Sequence, residues 1–457
     1  MQILAIEWGV VGIKAAQLIL ALSILVILHE FGHFITARWF GCRVEKFYLF
    51  FDPWFSIFKK KVGDTEYGIG WLPLGGYVKI AGMIDESMDT EAMKQPAQDW
   101  EFRSKPAWQR LIIMLGGIIM NVIVAVVIYS MVLFAWGSDS VPMNTVRDGL
   151  YFQDSIYQEV GFHQGDKVLA VDDKKIEKLD DAALRILMGR KALVERNGET
   201  FEIRFPENMI GKLIESKRKG ASILMPRIPA IVGSFDGLNE NSPAQDAGLQ
   251  EGDILKSVNG ISVSYYDEIK PILVKAQDSA TLSIDRNGNM LSIHSGLTKD
   301  KRLVLPYITD LKKLDSMGIL KVVHRDYSFL GSIPAGISLS KQKLVDYISQ
   351  FKKILQPKTG AYKGLGGFKA IANAFPAVWD WETFWNMTAF LSIILAFMNL
   401  LPIPALDGGH VVFTLYEMIF RRKPNEKFLE YAQMAGMIFL LLLMIAANAN
   451  DWLGWGK

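Results

Sequence analysis

Three stretches of this chain carry no charged residue: Leu111 to Ser138, Thr383 to Leu406 and Tyr431 to Asn450. Each is long enough to supply the ~20 apolar residues with which a helix crosses a bilayer. A fourth apolar run, from about Val10 to Ala37, contains Lys14, His29, Glu30 and His33. Ionisable groups at membrane depth are costly and, where kept, usually functional. The expected frame is therefore a polytopic α-helical membrane protein of about four spans with a functional group in the first. The N-terminal run lacks a basic start and an A-x-A-like cleavage site, so it reads as a retained span rather than a signal peptide. At 457 residues the chain also needs more than one folding unit.

Four spans put both termini on one side. Arg38, Arg43, Lys46, Lys59, Lys60, Lys61, Lys79, Lys94, Arg103, Lys105 and Arg110 lie between spans one and two, and Arg421, Arg422, Lys423 and Lys427 lie between spans three and four. By the positive-inside rule both linkers are cytoplasmic, which leaves the termini and the segment from about Val141 to Glu382 outside, in a periplasm-like compartment. Asp451 to Lys457, with two tryptophans, reads as an interfacial anchor after the last span.

The external segment repeats itself. Gly161-Phe-His-Gln-Gly-Asp-Lys-Val-Leu-Ala-Val-Asp-Asp aligns with Gly248-Leu-Gln-Glu-Gly-Asp-Ile-Leu-Lys-Ser-Val-Asn-Gly, and Glu195-Arg-Asn-Gly with Asp285-Arg-Asn-Gly. Asn-Gly between alternating apolar stretches is a hairpin signal. Two copies of one small β-rich domain are expected. Beyond them, Leu344, Tyr347, Ile348, Phe351, Ile354 and Leu355 share one face of an amphipathic helix, suited to packing on a neighbour, lying on the membrane surface or guiding substrate.

The chemistry sits in His29-Glu30-Phe31-Gly32-His33, which fits H-E-x-x-H. On a helix the two imidazoles stand one turn apart on one face and can share an ion. Zinc takes His nitrogen readily and, at catalytic sites, three protein ligands plus water. Glu30 is placed to act as general base. The third ligand is sought at Asn399-Leu-Leu-Pro-Ile-Pro-Ala-Leu-Asp-Gly-Gly-His. There Pro402 and Pro404 break the helix, and Gly408 and Gly409 permit close approach. Asp407 and His410 both qualify, and spacing does not separate them. Asp407 could instead cap a helix starting at His410.

Taken together, H-E-F-G-H in the first span, N-x-x-P-x-P-x-L-D-G at the end of the third and a repeated domain between them resemble the site-2 protease family of intramembrane zinc metalloproteases, and within it the bacterial sigma-E-regulating branch with tandem PDZ domains. The second repeat, from Ser242-Pro-Ala to Gly252-Asp-Ile-Leu, is similar to the PDZ domain of bacterial proteases. The resemblance implies one zinc ion per chain on His29, His33 and Asp407, with Glu30 catalytic and Asn399 holding the substrate strand. It implies that Gly68-Ile-Gly-Trp-Leu-Pro-Leu-Gly-Gly-Tyr-Val-Lys forms a membrane-associated β-hairpin whose edge, around Gly68 and Gly70, pairs with unfolded substrate. The expected domains are residues 1–140 (two spans and the hairpin loop), 141–218 and 219–300 (α+β PDZ domains 1 and 2), 301–382 (a linker with the amphipathic helix) and 383–457 (two spans). The implied partners are single-span membrane proteins of the anti-sigma-factor or remnant-signal-peptide type, the lipid bilayer and an upstream site-1 protease. The implied place is the bacterial inner membrane, with PDZ domains and termini periplasmic. Gly116-Gly117 with Asn121 is similar to the family's G-x-x-x-N region, which helix packing alone also explains.

Two other classes are weighed. A membrane-tethered PDZ scaffold would leave the metal motif idle. A metal transporter would need polar residues along several spans, and spans two and four offer almost none. Cys42, the single cysteine, excludes an internal disulfide and a multi-thiolate zinc site. With a net charge of +2 and no basic stripe interleaved with aromatics, no nucleic-acid partner is expected. His163, His294 and His324 are scattered and expected to be solvated.

Overall fold

The computed structural model describes residues 8–73, 75–83, 96–216, 224–236, 241–306, 308 and 310–454. Lys94, the expected domain boundary at 218/219 and the last three residues of the tail lie outside the described residues. The chain divides into two units, one drawn from Met1–Gly137, Asp326–Lys352 and Leu365–Trp455, the other from Ser138–Arg325 and Lys353–Gly364.

The first unit holds the longer helices. These are α1 (Trp8–Trp39), α2 (Ala107–Trp136), α3 (Phe329–Ile354), α4 (Trp381–Leu400), α5 (Asp407–Phe420) and α6 (Glu426–Leu453). Four of them, α1, α2, α4 and α6, are long and apolar enough to cross a membrane. Leu18, Ala21 and Leu25 of α1, Val124, Ala125, Ile128, Tyr129 and Val132 of α2, and Phe384, Ala389, Leu391 and Ile393 of α4 form one core. Glycine lets α1 and α2 touch. A Cβ on Gly32 would stand 2.3 Å from the Gly116 carbonyl oxygen, and one on Gly116 would stand 2.5 Å from that of Gly32. Lys14, the cation in the first span, reaches Asn373 at 3.3 Å, and Gln17 donates to the Pro376 carbonyl at 3.0 Å. The amphipathic face of α3 packs on α4: Tyr347 lies edge-on to Phe390 and Phe397, and Phe351 lies 5.2 Å from Phe397.

Between α1 and α2 runs a four-stranded sheet of β1 (Val44–Leu49), β2 (Phe51–Val62), β3 (Thr65–Leu72) and β4 (Tyr77–Ile80), in the order β2-β3-β1-β4. This corrects the expected hairpin. Residues of the 68–79 segment fall on β3 and β4, which do not pair with each other, because β1 lies between them, parallel to β3 and antiparallel to β4. The actual hairpin is β2–β3. Its outer strand exposes Trp54, Phe55, Ile57 and Phe58, followed by Lys59, Lys60 and Lys61.

In the second unit the two repeats fold alike. Strands Lys174–Lys175, Lys167–Val171, Lys191–Arg196 and Glu199–Arg204 form one sheet; Ile261–Ser262, Ile254–Val258, Ser279–Arg286 and Asn289–Gly296 form another in the same order. The repeated Gly-Asp and Arg-Asn-Gly are two ends of one clasp. Arg196 donates to both oxygens of Asp166 at 2.7 and 2.8 Å and to the Gly161 carbonyl at 2.8 Å. Arg286 does the same to Asp253, at 2.7 Å twice, and to the Gly248 carbonyl at 2.8 Å. Each module has its own buried core. The first core also takes Ile308, Leu314, Ile319 and Leu320, so part of the segment expected to be a linker from residue 301 packs into the first module.

Candidate metal centre

The end of α4 explains how a carboxylate reaches the H-E-x-x-H helix. After Leu400 the chain meets Pro402 and Pro404, which cannot donate backbone hydrogen bonds and stop the helix. It then turns through Ala405 and restarts at Asp407, the first residue of α5, so α5 begins three residues before His410. Gly408 and Gly409 fold that start tightly back: a Cβ on Gly408 would lie 2.1 Å from the Leu401 carbonyl oxygen, and one on Gly409 would lie 2.7 Å from that of Ile403.

This bend brings Asp407 to α1. His29 Nε2 and His33 Nε2 are 3.3 Å apart, and each is 3.3 Å from Asp407 Oδ2. Among the described residues these three form the group of ligand atoms able to hold a metal ion. The triangle suits zinc. Ligands about 2.0–2.1 Å from a tetrahedral zinc stand about 3.3–3.4 Å from one another, so three edges of 3.3 Å outline one face of that tetrahedron. Asp407 Oδ2 is also buried and accepts no hydrogen bond. A bare buried carboxylate oxygen is costly, and a cation within the triangle satisfies it. His410 lines the same cavity but is not part of the triangle.

The far nitrogens of both imidazoles are held by α2. His33 Nδ1 lies 2.9 Å from the Ile113 carbonyl. A carbonyl only accepts, so Nδ1 carries the proton and Nε2 turns its lone pair to the centre. His29 Nδ1 lies 3.1 Å from the side-chain amide of Asn121. Asn121 is fully buried and its Oδ1 has no partner. The amide orientation that places Oδ1 on a His29 Nδ1 proton satisfies that oxygen and frees Nε2 for a metal. The Asn121 backbone is pinned in turn, its carbonyl accepting from Ser392 Oγ of α4 at 2.7 Å. Gly117 leaves room for both rings: a Cβ there would stand 2.3 Å from His33 Nε2 and 2.5 Å from His29 Cε1.

Glu30 follows the first imidazole and lines the same cavity of about 850 Å³ with Asn399, whose Nδ2 is 3.2 Å from His29 Nε2. The other wall is β4, and the Val78 backbone faces the Glu30 carboxyl group. Gly76 lets the chain leading into β4 lie against α1, where a Cβ would meet Val26 Cγ1 at 2.6 Å. Tyr77 of β4 donates to Asp52 at 2.9 Å, and Tyr48 of β1 to Glu66 at 2.7 Å. Burial pushes the Tyr48 phenol up to about 12. Burial and then the bond to Asp52 push Tyr77 up as well, so both remain donors at neutral pH.

His29, Glu30, His33, Asn399 and Asp407 thus converge on one cavity. Gly68 and Gly70 do not. They sit on β3, an inner strand: Gly68 already pairs with Tyr48 and Lys59, and Gly70 with Ser56. These glycines make room for neighbours instead, the Tyr48 ring over Gly68 and the Phe51 carbonyl over Gly70. The sheet edge beside the carboxylate is β4. Sequence reasoning also passed over Ile113 and Gln433, and it named Asn121 without separating a role at the site from helix packing. Gln433 is an amide in the final apolar run, buried and donated to by the Ala405 N–H at 3.1 Å.

Comparison with known proteins follows the same chemistry. A family model described as peptidase family M50 matches residues 17–443. A Vibrio cholerae protein named as a zinc metalloprotease is 29% identical over 95% of this chain and 97% of its own length. The "Regulator of sigma E protease" of Haemophilus influenzae is 28% identical over 95% and 97%, and a Clostridium perfringens protein named as a zinc metalloprotease is 27% identical over 95% and 96%.

Proposed function

The chain belongs to peptidase family M50, the site-2 proteases, and is a zinc metalloendopeptidase; from that premise we propose that it cuts single-span membrane proteins within or near the bilayer at the centre formed by His29, His33 and Asp407. The observation that carries this reading is the 3.3 Å triangle of ligand atoms with its unpartnered Asp407 oxygen.

One zinc ion per chain would be held by His29 Nε2, His33 Nε2 and Asp407 Oδ2. When bound, zinc supplies Lewis acidity toward a carbonyl oxygen and acidifies water. The chain's own groups do the rest. A transmembrane peptide bond is shielded by its helix, so the substrate must unwind into a strand. β4 offers it an edge for β-augmentation next to the cavity, in place of the Gly68–Gly70 segment. Asn399 is positioned to hold the strand's backbone. Glu30 takes a proton from the attacking water as the C–O bond forms, then passes it to the leaving nitrogen as the C–N bond breaks.

The repeats of the second unit fit α+β PDZ domains and, by the charge asymmetry of the linkers, belong with both termini on the periplasmic side of a bacterial inner membrane. They would admit substrates already trimmed by an upstream site-1 protease. The Haemophilus relative is named as a regulator of sigma E; the proposed substrates are single-span proteins of the anti-sigma-factor or remnant-signal-peptide type. Glu30→Gln is expected to retain zinc and lose cleavage of a single-span test substrate in detergent. Persistent cleavage by that variant would contradict the mechanism.

A further inference from the structure

We propose that Gln433, with Gly436 one turn further along α6, is a positioning residue for Asp407. It acts by clamping the bend that delivers the carboxylate. The inference rests on Asp407 being a metal ligand.

In the bend between α4 and α5 the Ile403 N–H reaches the Leu401 carbonyl at 2.7 Å and the Leu406 N–H the Ile403 carbonyl at 3.1 Å, which leaves the Ala405 N–H without a backbone partner. Pro402 and Pro404 have no N–H, and Ala405 adopts φ 79°, a left-handed conformation that residues with a Cβ rarely hold unaided. The Ala405 N–H has one partner among the described residues, Gln433 Oε1 at 3.1 Å. Gln433 is 6% exposed, on a helix whose Phe439, Leu442 and Ile445 are each more than half exposed. An amide is thus kept buried where α6 meets the bend. Gly436 completes the contact. A Cβ there would stand 1.8 Å from the Pro404 carbonyl oxygen, so the α6 backbone itself bears on the turn. Asp407 follows Ala405 by two residues. Releasing the Ala405 N–H frees the left-handed turn to relax, and the carboxylate moves off the 3.3 Å triangle that depends on it.

Gln433 also borders the metal cavity, so a direct contact with substrate must be separated from a role through Asp407. Zinc affinity, measured without substrate, does this. Full-length protein in detergent is titrated with Zn²⁺ against a competing chelator. Gln433→Met, similar in size but without the amide acceptor, is expected to weaken zinc binding about 10- to 100-fold, the range for lost outer-shell partners. Gln433→Glu keeps an acceptor and is expected to recover most of the affinity. Combined with Asp407→Asn, Gln433→Met is expected to cause no further loss. Unchanged affinity in Gln433→Met, or an equal loss in both backgrounds, overturns the clamp. Asp407→Asn binding zinc like the wild type would overturn the metal assignment itself, and the clamp with it. Should Gln433→Met not give monodisperse protein, Gly436→Ala presses on the same turn and is read against the same outcomes.

Discussion

Each imidazole of the proposed centre is held at two points, one facing the triangle and one facing α2. His33 depends on the Ile113 carbonyl, which no side-chain substitution removes, whereas His29 depends on the amide of Asn121. That difference makes Asn121 the testable member of the pair. Asn121→Leu is expected to lower zinc affinity about 10- to 100-fold by releasing His29 from its metal-binding tautomer, and Asn121→Asp, which keeps an acceptor, to retain it. Chelator competition on purified protein measures both, and an Asn121→Leu protein that binds zinc like the wild type contradicts the tautomer argument. That His29 and His33 stand side by side was legible in the sequence, because a period of 3.6 residues places both imidazoles on one side. Asp407 was legible only as one of two candidates, since spacing cannot say whether Asp407 or His410 turns toward α1. Asn121 was visible but ambiguous: an amide beside Gly116-Gly117 is equally what close helix packing uses.

Elements divide by how local their determinants are. The charge-free runs foretold α2, α4 and α6, and the Asn-Gly turns foretold the hairpins Lys191–Arg204 and Ser279–Gly296. The sheet between α1 and α2 was not legible in the same way. β3 and β4 are neighbours in sequence, but β1 inserts between them through a parallel pairing that no local turn signal records. That insertion turns Gly68 and Gly70 inward and leaves β4 at the edge. The repeated Arg-Asn-Gly was read as a turn marker, but its arginine also neutralises an aspartate of which 1% is exposed in the second module and none in the first. Arg286→Met strands the Asp253 carboxylate in the core. It is expected to destabilise the second module by about 2–3 kcal/mol, somewhat less than a fully buried pair because the guanidinium keeps some solvent. Proteolysis of the full chain across a urea series measures this, and an unchanged midpoint contradicts it.

At the scale of the molecule, one architecture serves two solvents. In the first unit, apolar helices leave large hydrophobics exposed on α6 and bury glycine contacts where α1 crosses α2, as expected where lipid rather than water covers the outside. In the second unit each module has its own buried hydrophobic core and an Arg–Asp clasp. This division was legible from charge distribution alone. The packing of Ile308, Leu314, Ile319 and Leu320 into the first module was not, because nothing local distinguishes a returning segment from a linker. In the proposed function, what joins this architecture to proteolysis is the point where α1 and the α4–α5 bend bring three ligand atoms to one centre, with α2 holding the far nitrogens of the imidazoles. The direct measurement is the zinc content of full-length protein purified in detergent, compared among wild type, Asp407→Asn and His410→Ala. The expected result is about one zinc per wild-type chain, loss of zinc in Asp407→Asn and retention in His410→Ala. A metal-free wild type, or zinc lost from the His410 variant alone, would contradict the account.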